Sequence, residues 1–324
     1  MENYSIIQKF LHDLFLGNNF LKKSVYEIEK IFFNKKKINF EKNKHVFISG
    51  LPRSGTTALL NYLFSSKAFS SLTYRNMPFV MAPNISSILM KNAKLKRKER
   101  MHKDGIFFDL NTPESFDEVF FSTFEKEEIK NEFLNYLNLI LIQKNSKRYL
   151  SKNNLNYKKI NLIQSLLNKS IFLIPFRDPE QHANSLIKQH KNFCIMQKEN
   201  KFIRRYMKYL GHFEFGLDHK SWNSPTKFHN FDDINYWLEQ WNKFYRHLLE
   251  KNFNKKNILF ICFEKLNSPN FKRNICNFLD INIENTENTE KFIIKKGQVI
   301  ANFDNELLVE SKKLYNELVD QCFE

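Results

Sequence analysis

The chain has 324 residues, enough for one large α/β domain or two smaller ones, and aromatic residues make up 15% of it, so apolar side chains for a core are plentiful. Its 51 lysines and arginines against 35 acidic residues give a formal net charge of +16, which suits nucleic acid, an anionic membrane or an anionic ligand. The basic residues are spread along the chain and no RNA-binding motif is present, which argues against a nucleic-acid-binding protein.

The four cysteines, Cys194, Cys262, Cys276 and Cys322, lie far apart and form no C-x-x-C pair. This distribution predicts reduced thiols and disfavours a disulfide framework or a zinc site. The first 20 residues alternate charged and apolar side chains as an amphipathic helix does, and no apolar run is long enough to span a bilayer. We therefore expect a cytoplasmic protein without a transmembrane segment.

Residues 1–42 predict two helices that are interrupted at residues 17–19 and pack on the outside of the main sheet. We treat them as an N-terminal unit, followed by one α/β domain over residues 43–324.

The stretch 45–64 has the order of strand, loop and helix. Residues 45–49 predict a short buried strand, residues 50–55 a tight loop bounded by glycines, and an apolar helical spacing begins at Thr56. This order is typical of a phosphate-binding loop, in which backbone N–H groups and the helix N-terminus face an anion.

The loop departs from the triphosphate-binding motif G-x-x-x-x-G-K-[ST] at one position. Gly50, Gly55 and Thr57 fit the motif, but Thr56 stands where the lysine belongs, and the cation lies within the loop, at Arg53. A nucleotide triphosphatase without this lysine loses the charge that contacts the β- and γ-phosphates. The loop therefore predicts an anion other than a nucleotide triphosphate.

Between this loop and the next signature, the pattern predicts a short strand at 72–74 and a helix start at 112–114. The basic run at 94–100 predicts either a solvated helix face or an anion-binding patch. An amphipathic helix is predicted over 125–147, and a second strand of the main sheet over 148–152. If Glu114 lies in the first turn of a helix, its carboxylate can be no more than a partner of the helix dipole.

The rest of the chain continues to alternate. We predict strands at 171–176 and 258–263, helices at 180–198, 200–217 and 231–252, a short helix ending at 279, and a final helix over 305–323. The aromatic stripe of 231–252 has the spacing of a helix that contributes to the core. Apolar strands separated by helices predict a parallel sheet that binds ligands at the carboxyl ends of its strands.

A second signature follows the strand at 171–176. Arg177 leaves the end of the strand, and Asp178 and Pro179 suit the N-cap and first position of the next helix. Ser185 comes seven residues after Asp178, close to two helical turns, so it lies on the side from which Arg177 emerges. An arginine and a hydroxyl on one face can hold a phosphate.

The motifs PRSGTT at 52–57 and RDPEQHANS at 177–185 resemble those of the sulfotransferases that use 3′-phosphoadenosine 5′-phosphosulfate (PAPS), in their bacterial and tyrosylprotein-like branch. The resemblance covers residues 45–320 and implies a three-layer P-loop-type α/β fold with a central parallel sheet flanked by helices. It implies that the loop holds the 5′-phosphosulfate and that Arg177 and Ser185 bind the 3′-phosphate. The implied cofactor-binding residues are Pro52, Arg53, Ser54, Gly55, Thr56, Thr57, Arg177 and Ser185, and Arg53 is also implied to face the transferred sulfonate as a catalytic residue.

Two later segments depart from the family pattern. Phe263 and Glu264 stand where relatives usually carry a Tyr-Glu pair. Residues 295–297 resemble only the beginning of the basic, glycine-containing segment that closes over the 3′-phosphate in cytosolic members.

Sulfonate transfer to an alcohol needs a base for the attacking hydroxyl, and relatives use a histidine or a glutamate. The glutamate of tyrosylprotein members falls near Thr73, which cannot serve. His102, Asp104 and Glu114 are the remaining candidates, and we favour His102 or Asp104. We predict no metal site, because no second histidine stands at ligand spacing from His102.

The sequence thus predicts in-line transfer of a sulfonate from PAPS to a hydroxyl acceptor, which could be a carbohydrate, a lipid headgroup, a peptide or a small alcohol. A P-loop small-molecule kinase and a non-enzymatic, basic nucleotide- or nucleic-acid-binding protein are the alternatives. The missing P-loop lysine at Thr56 and the pair of Arg177 and Ser185 count against the kinase.

Overall fold

A computed structural model describes residues 4–100, 105–222, 225–251, 255–282, 284, 292, 294, 299 and 301–323. Its strands are β1 (Val46–Ile48), β2 (Lys98–Glu99), β3 (Phe107–Phe108), β4 (Leu150–Lys152), β5 (Ile171–Phe176) and β6 (Ile258–Cys262). Its helices are α1 (Ile6–Gly17), α2 (Asn19–Phe33), α3 (Thr56–Ser65), α4 (Pro83–Leu89), α5 (Asp117–Thr123), α6 (Lys126–Lys144), α7 (Ile160–Leu166), α8 (Pro179–Glu199), α9 (Lys201–Tyr209), α10 (Ile234–Glu250), α11 (Pro269–Phe278) and α12 (Asn305–Asp320).

The central sheet is parallel and has the strand order β4-β1-β5-β6. Val46 lies opposite Leu150 on one side and Ile171 on the other, so β1 is an inner strand. All residues of β1, β4 and β5 are buried, as expected of parallel strands covered on both faces. The predicted parallel α/β sheet is therefore confirmed.

The two faces of the sheet pack into separate cores. Val46 and Ile48 of β1 pack with residues of α3 and α11, whereas Phe47 between them packs with α6, α8 and α10 on the opposite face. This alternation follows from the two-residue period of a strand. The sheet thus lies between two helical layers, and the aromatic stripe of α10 is buried in one of them, as predicted.

The N-terminal residues form two helices, as predicted, and the break between them is capped by Asn18, whose side chain accepts the N–H of Leu21. These helices pack on other helices, mainly α4, α6 and α9. Tyr26 is fully buried there and donates to the Glu132 carboxylate at 2.7 Å. The boundary at residue 42 stays a prediction.

Three predictions of local structure are wrong. Residues 72–74 form no strand, since Thr73 makes only an isolated bridge to Pro113 and begins a capped 3₁₀ turn. Residues 94–100 form no helix, because β2 pairs with β3 in an antiparallel hairpin. No helix starts at 112–114: the Thr112 hydroxyl bonds to Asp109, and α5 begins only at Asp117.

A fourth prediction has the wrong extent. The helix expected over 200–217 ends at Tyr209, because Gly211 adopts a left-handed conformation (φ +70°) that terminates it. None of the described helices is long and apolar enough to cross a membrane. The four cysteines are free thiols in the structure.

His45 lies directly before β1 and is fully buried. Its Nε2 donates to the carbonyl of Phe40 at 3.0 Å, while Nδ1 accepts the N–H of Tyr149 at 3.0 Å, so the ring is neutral. Burial lowers the pKa of His45 from 6.5 to about 4. The imidazole is therefore protonated in the unfolded chain at pH values where the folded chain leaves it neutral.

We expect the free energy of unfolding to fall as the pH decreases from 6.5 to about 4, and this contribution to be level below that window. His45→Gln should reduce the slope by up to about 1.4 kcal/mol per pH unit, the linkage of one proton. Urea unfolding across this range measures the slope, and His229→Gln, at an exposed histidine, is the matched control. A slope that is identical in wild type and His45→Gln would contradict the prediction.

Candidate active site

A cavity of about 950 Å³ opens at the carboxyl ends of the central strands. Its walls include Arg53 from the loop after β1, Lys152 at the end of β4 and Arg177 directly after β5. Parallel sheets bind ligands at this edge, because the loops that follow neighbouring strands converge there. The cavity therefore lies where the sequence predicted a site.

The loop between β1 and α3 turns through two residues with positive φ, Arg53 at +73° and Gly55 at +93°. A Cβ atom at Gly55 would lie 2.5 Å from the ring of Phe263, so only glycine fits. Gly55 is also the N-cap of α3 and offers no side-chain acceptor to the first N–H groups of that helix. A bound anion can accept these hydrogen bonds.

The loop is anchored from behind by buried groups. His182 of α8 is fully buried, and its Nε2 donates to the carbonyl of Pro52 at 2.9 Å. Burial, assisted by the charges of Arg177 and Arg53, lowers the pKa of His182 to about 3, so it donates as a neutral imidazole. The Ser54 hydroxyl donates back to the carbonyl of Leu51 at 2.7 Å. Pro52 and Ser54 thus shape the loop through contacts behind it.

The two sequence signatures meet in the cavity. Asp178 is the N-cap of α8 and accepts the N–H of Gln181, as predicted, which places Arg177 just before the helix. Ser185 lies two turns along α8, and its hydroxyl accepts a hydrogen bond from Arg53 Nε at 3.3 Å. The Arg177 guanidinium lies over the ring of Phe263, 5.2 Å from its centroid.

Glu114 lies in the cavity wall among groups that stabilise its charge. Its carboxylate accepts the Tyr74 hydroxyl at 3.1 Å and lies 3.6 Å from Lys152 Nζ and 3.7 Å from Arg100 Nη1. Since no helix begins here, the interpretation of Glu114 as a helix-dipole partner is wrong. The carboxylate instead holds two cations at the carboxyl end of the sheet.

The β2–β3 hairpin contributes a basic wall. Arg100 donates to the Thr57 hydroxyl at 3.2 Å and so contacts the start of α3. Arg97 and Phe107 also line the cavity. Of the two interpretations of residues 94–100, the anion-binding patch agrees with this arrangement and the solvated helix does not.

Two titratable residues to which the sequence pattern assigns no role, His212 and Glu214, both line the cavity. Their position is fixed by the end of α9: the N–H of Gly211 bonds to the carbonyl of Lys208 and the N–H of His212 to that of Met207. These two bonds form a Schellman motif, for which a glycine is the sequence signal. The helix predicted over 200–217 continues past this glycine, so the prediction places no helix end before His212.

His212 and Glu214 titrate as a coupled pair. His212 Nδ1 lies 3.4 Å from the Glu214 carboxylate, which also accepts a hydrogen bond from Asn154 at 2.9 Å. Burial alone would lower the pKa of His212, but the charge and hydrogen bond of Glu214 outweigh it and raise that pKa above 6.5. Burial would raise the pKa of Glu214, and the charge of His212 instead lowers it to about 2. Glu214 therefore stays ionised.

The wall beside His212 is apolar. It is formed by buried side chains of α8, α9 and the segment after α9: Phe193, Tyr206, Met207, Leu210 and Phe215. The cavity is thus lined by cations and by apolar groups, a combination typical of sites for organic anions and their reaction partners.

Three predicted features lie outside the described residues: His102, Asp104 and the segment 295–297. Among the residues that are described, no three His, Cys, Asp or Glu side chains are close enough together to hold a metal ion.

Comparison with known proteins agrees with the signatures. The model of the sulfotransferase family Sulfotransfer_3 matches residues 45–214, more than half of the chain. The structure is similar to that of the sulfotransferase STF1 from Mycobacterium tuberculosis, with 11% identity, 89% of this chain and 82% of that chain covered, and a TM-score of 0.50. This likeness supports the same P-loop-type α/β fold.

A second similar structure is sulfotransferase STF9 from Mycobacterium avium, with 11% identity, 93% and 81% of the two chains covered, and a TM-score of 0.47. A search of curated proteins finds no match. The family supports sulfonate transfer and supports neither the kinase nor the nucleic-acid-binding alternative. The chain therefore belongs to the sulfotransferase family and is an enzyme that transfers a sulfonate group.

Proposed function

We propose that the protein transfers the sulfonate of PAPS to a hydroxyl group of an acceptor bound in the same cavity. The contact between Arg53 and Ser185 carries this proposal, because it joins the anion-binding loop to the Arg177 signature in one site. A site with two separate sets of hydrogen-bond donors for phosphate groups suits a nucleotide that bears phosphates at both its 3′ and 5′ positions.

The residues present fit PAPS. A glycine cradle that a Cβ atom would fill lies beside Arg53, and Arg177 supplies a second cation at the end of β5. Aromatic side chains of Tyr62, Phe263 and Phe292 line the same cavity and could contact a purine ring. When bound, PAPS supplies a sulfonate attached to a phosphate leaving group.

We assign the loop to the 5′ end of the donor. The N–H groups at the start of α3 and the Arg53 guanidinium would stabilise the negative charge that develops on the leaving phosphate oxygen. Thr56 and Thr57 line the cavity at the same point and can donate to that oxygen. At the other end, Arg177 and Ser185 would bind the 3′-phosphate.

We assign His212 as the base for the acceptor hydroxyl. Its Nδ1–H faces Glu214, so Nε2 of the neutral ring is the proton acceptor. As the acceptor oxygen bonds to sulfur and the bond from sulfur to the phosphate oxygen breaks, the hydroxyl proton passes to Nε2, and Glu214 stabilises the resulting imidazolium. His102 and Asp104 stay predictions for this role.

Glu114 takes a supporting part in this proposal. It holds Lys152 and Arg100, whose positive charges can attract the sulfonate oxygens during transfer. The apolar wall beside His212 favours an acceptor whose hydroxyl is carried by an apolar group, whether a lipid, a phenol or an aromatic peptide side chain. We place the reaction in the cytoplasm and expect no nucleic acid partner.

We expect Arg53→Ala to lower kcat by about 10²–10³, because it removes a charged donor from the developing anion. The affinity for adenosine 3′,5′-bisphosphate should change much less. Release of this bisphosphate from PAPS, in the presence of simple alcohols and phenols, measures the rate, and ATP in place of PAPS tests the donor. Unchanged turnover with weakened binding would contradict the assigned role of Arg53.

Arg177→Ala should weaken binding of adenosine 3′,5′-bisphosphate by about 1.5–3 kcal/mol, the contribution of a charged hydrogen bond. Binding of 5′-AMP, which lacks the 3′-phosphate, should hardly change. Calorimetry with both nucleotides separates the two effects, and Asn184→Ala, at another cavity residue of α8, is the control. Equal losses for the two nucleotides would show that Arg177 does not bind the 3′-phosphate.

For His212 we expect kcat/KM to rise with pH through the raised pKa of the histidine, above 6.5, and then to level off. His212→Asn, which can keep the contact with Glu214, should lower the rate by about 10²-fold or more and remove this acid limb. Glu214→Gln should move the limb to lower pH, because burial then dominates the pKa of His212.

The variants His102→Asn and Asp104→Asn serve as comparisons in the same pH profiles. If one of them removes the acid limb while His212→Asn keeps it, the base is not His212. A limb that does not move in Glu214→Gln would likewise exclude the assigned coupling between His212 and Glu214.

A further inference from the structure

The two N-terminal helices expose an unusual number of apolar side chains. Of the fourteen large hydrophobic residues that are exposed in the described parts of the chain, seven lie in α1 and α2. Six of these seven are more than 60% exposed, namely Ile6, Ile7, Phe10, Phe20, Ile31 and Phe32. Scattered surface apolar residues are ordinary, but a concentration of this kind marks an interaction surface.

The exposed residues follow the helical period. Ile6, Ile7 and Phe10 share one side of α1, and Phe20, Ile28 and Ile31 share one side of α2. The opposite sides of both helices already serve the fold, with His12 and Leu16 buried from α1 and Tyr26 and Glu29 from α2. The apolar sides are therefore additional to those that the folded domain uses.

The end of α4, a helix that contacts α2, adds two more exposed apolar residues, Ile88 and Leu89. We call the outward side chains of α1, α2 and the end of α4 the N-terminal face.

Lysines border this face at two places. Lys35, Lys36 and Lys37 are exposed directly after α2. Exposed basic residues also follow Ile88 and Leu89, namely Lys91, Lys94, Lys96 and Arg97. Two acidic residues of α1 and α2 are paired with basic side chains: Glu27 with Lys30 at 3.0 Å and Asp13 with Arg205 at 2.8 Å.

From this we propose that the N-terminal face docks on the surface of an anionic lipid bilayer. Apolar side chains enter the headgroup region and neighbouring lysines bind anionic headgroups, the two contributions on which interfacial helices depend. A second copy of the chain is a poorer occupant, because it would bring the same lysines and the same +16 charge to the interface.

The face and the cavity share one segment of chain. Residues 91–97 lead directly into β2, and Arg97 and Arg100 on either side of β2 line the cavity. Docking of this segment would bring the hairpin side of the cavity close to the headgroups.

Cosedimentation of the full chain with vesicles tests the proposal. We expect binding to phosphatidylcholine vesicles that contain phosphatidylserine, weakening as salt is added, and little binding to phosphatidylcholine alone. The double variant Phe10→Ser/Ile31→Ser should lower binding by about tenfold or more, because two side chains no longer enter the headgroup region. Replacing Lys35, Lys36 and Lys37 by Gln should lower it by about tenfold or more and reduce the salt dependence.

Val309→Ser is the matched control, since Val309 is 69% exposed on α12, close to the 65% of Ile31. Thermal unfolding checks that each variant folds. The proposal is overturned if the chain binds neither vesicle, if neutral vesicles bind it equally well, or if Val309→Ser loses as much binding as the double variant. A dimer that forms without lipid and dissociates in the double variant would identify a second copy as the occupant and overturn it too.

Discussion

The site depends on the conformation of one short loop, between β1 and α3. Its backbone turns through positive φ at Arg53 and Gly55, and at Gly55 the ring of Phe263 leaves no room for a side chain. A buried neutral histidine, His182, holds the carbonyl of Pro52 from the other side. These partners come from α8 and from the turn after β6, so the shape of the loop depends on contacts with segments far away in the chain.

Charge is distributed unevenly around the cavity that this loop forms. Cations from several separate segments line it, and the carboxylates of Glu114 and Glu214 in its wall are each engaged with basic partners. An apolar wall next to these groups reduces the effective dielectric, which strengthens the attraction of the cations for an anion. Burial alone would lower the pKa of His212. That pKa is raised because the charge and the hydrogen bond of Glu214 outweigh the effect of burial.

Helix ends position several of the polar groups in the cavity. The start of α3 presents N–H groups, the start of α8 follows Arg177, and the Schellman motif at the end of α9 orients His212. Backbone groups at helix ends lack partners within the helix, so they are natural places to bind a ligand or to fix a neighbouring side chain.

The sequence by itself determined those parts of this protein in which the backbone conformation depends on residues close together in the chain. The loop with Gly50 and Gly55, the capped start of α8 and the two-turn spacing from Asp178 to Ser185 each depend on residues near one another in the chain, and the structure has all of them. The fully apolar strands likewise predicted a parallel sheet, because only strands buried on both faces have that composition.

Tertiary structure alone decided which titratable groups meet. The sequence pattern predicts Glu114 in the first turn of a helix, where its neighbours would be local. Its partners in the structure, Lys152 and Arg100, instead come from β4 and the β2–β3 hairpin. The position of His212 depends on Gly211, which terminates α9 after Tyr209, and the environment of Glu214 depends on Asn154 from a distant segment. Local spacing fixes a cap or a turn, whereas the environment and pKa of a side chain depend on burial and on charges that distant segments supply.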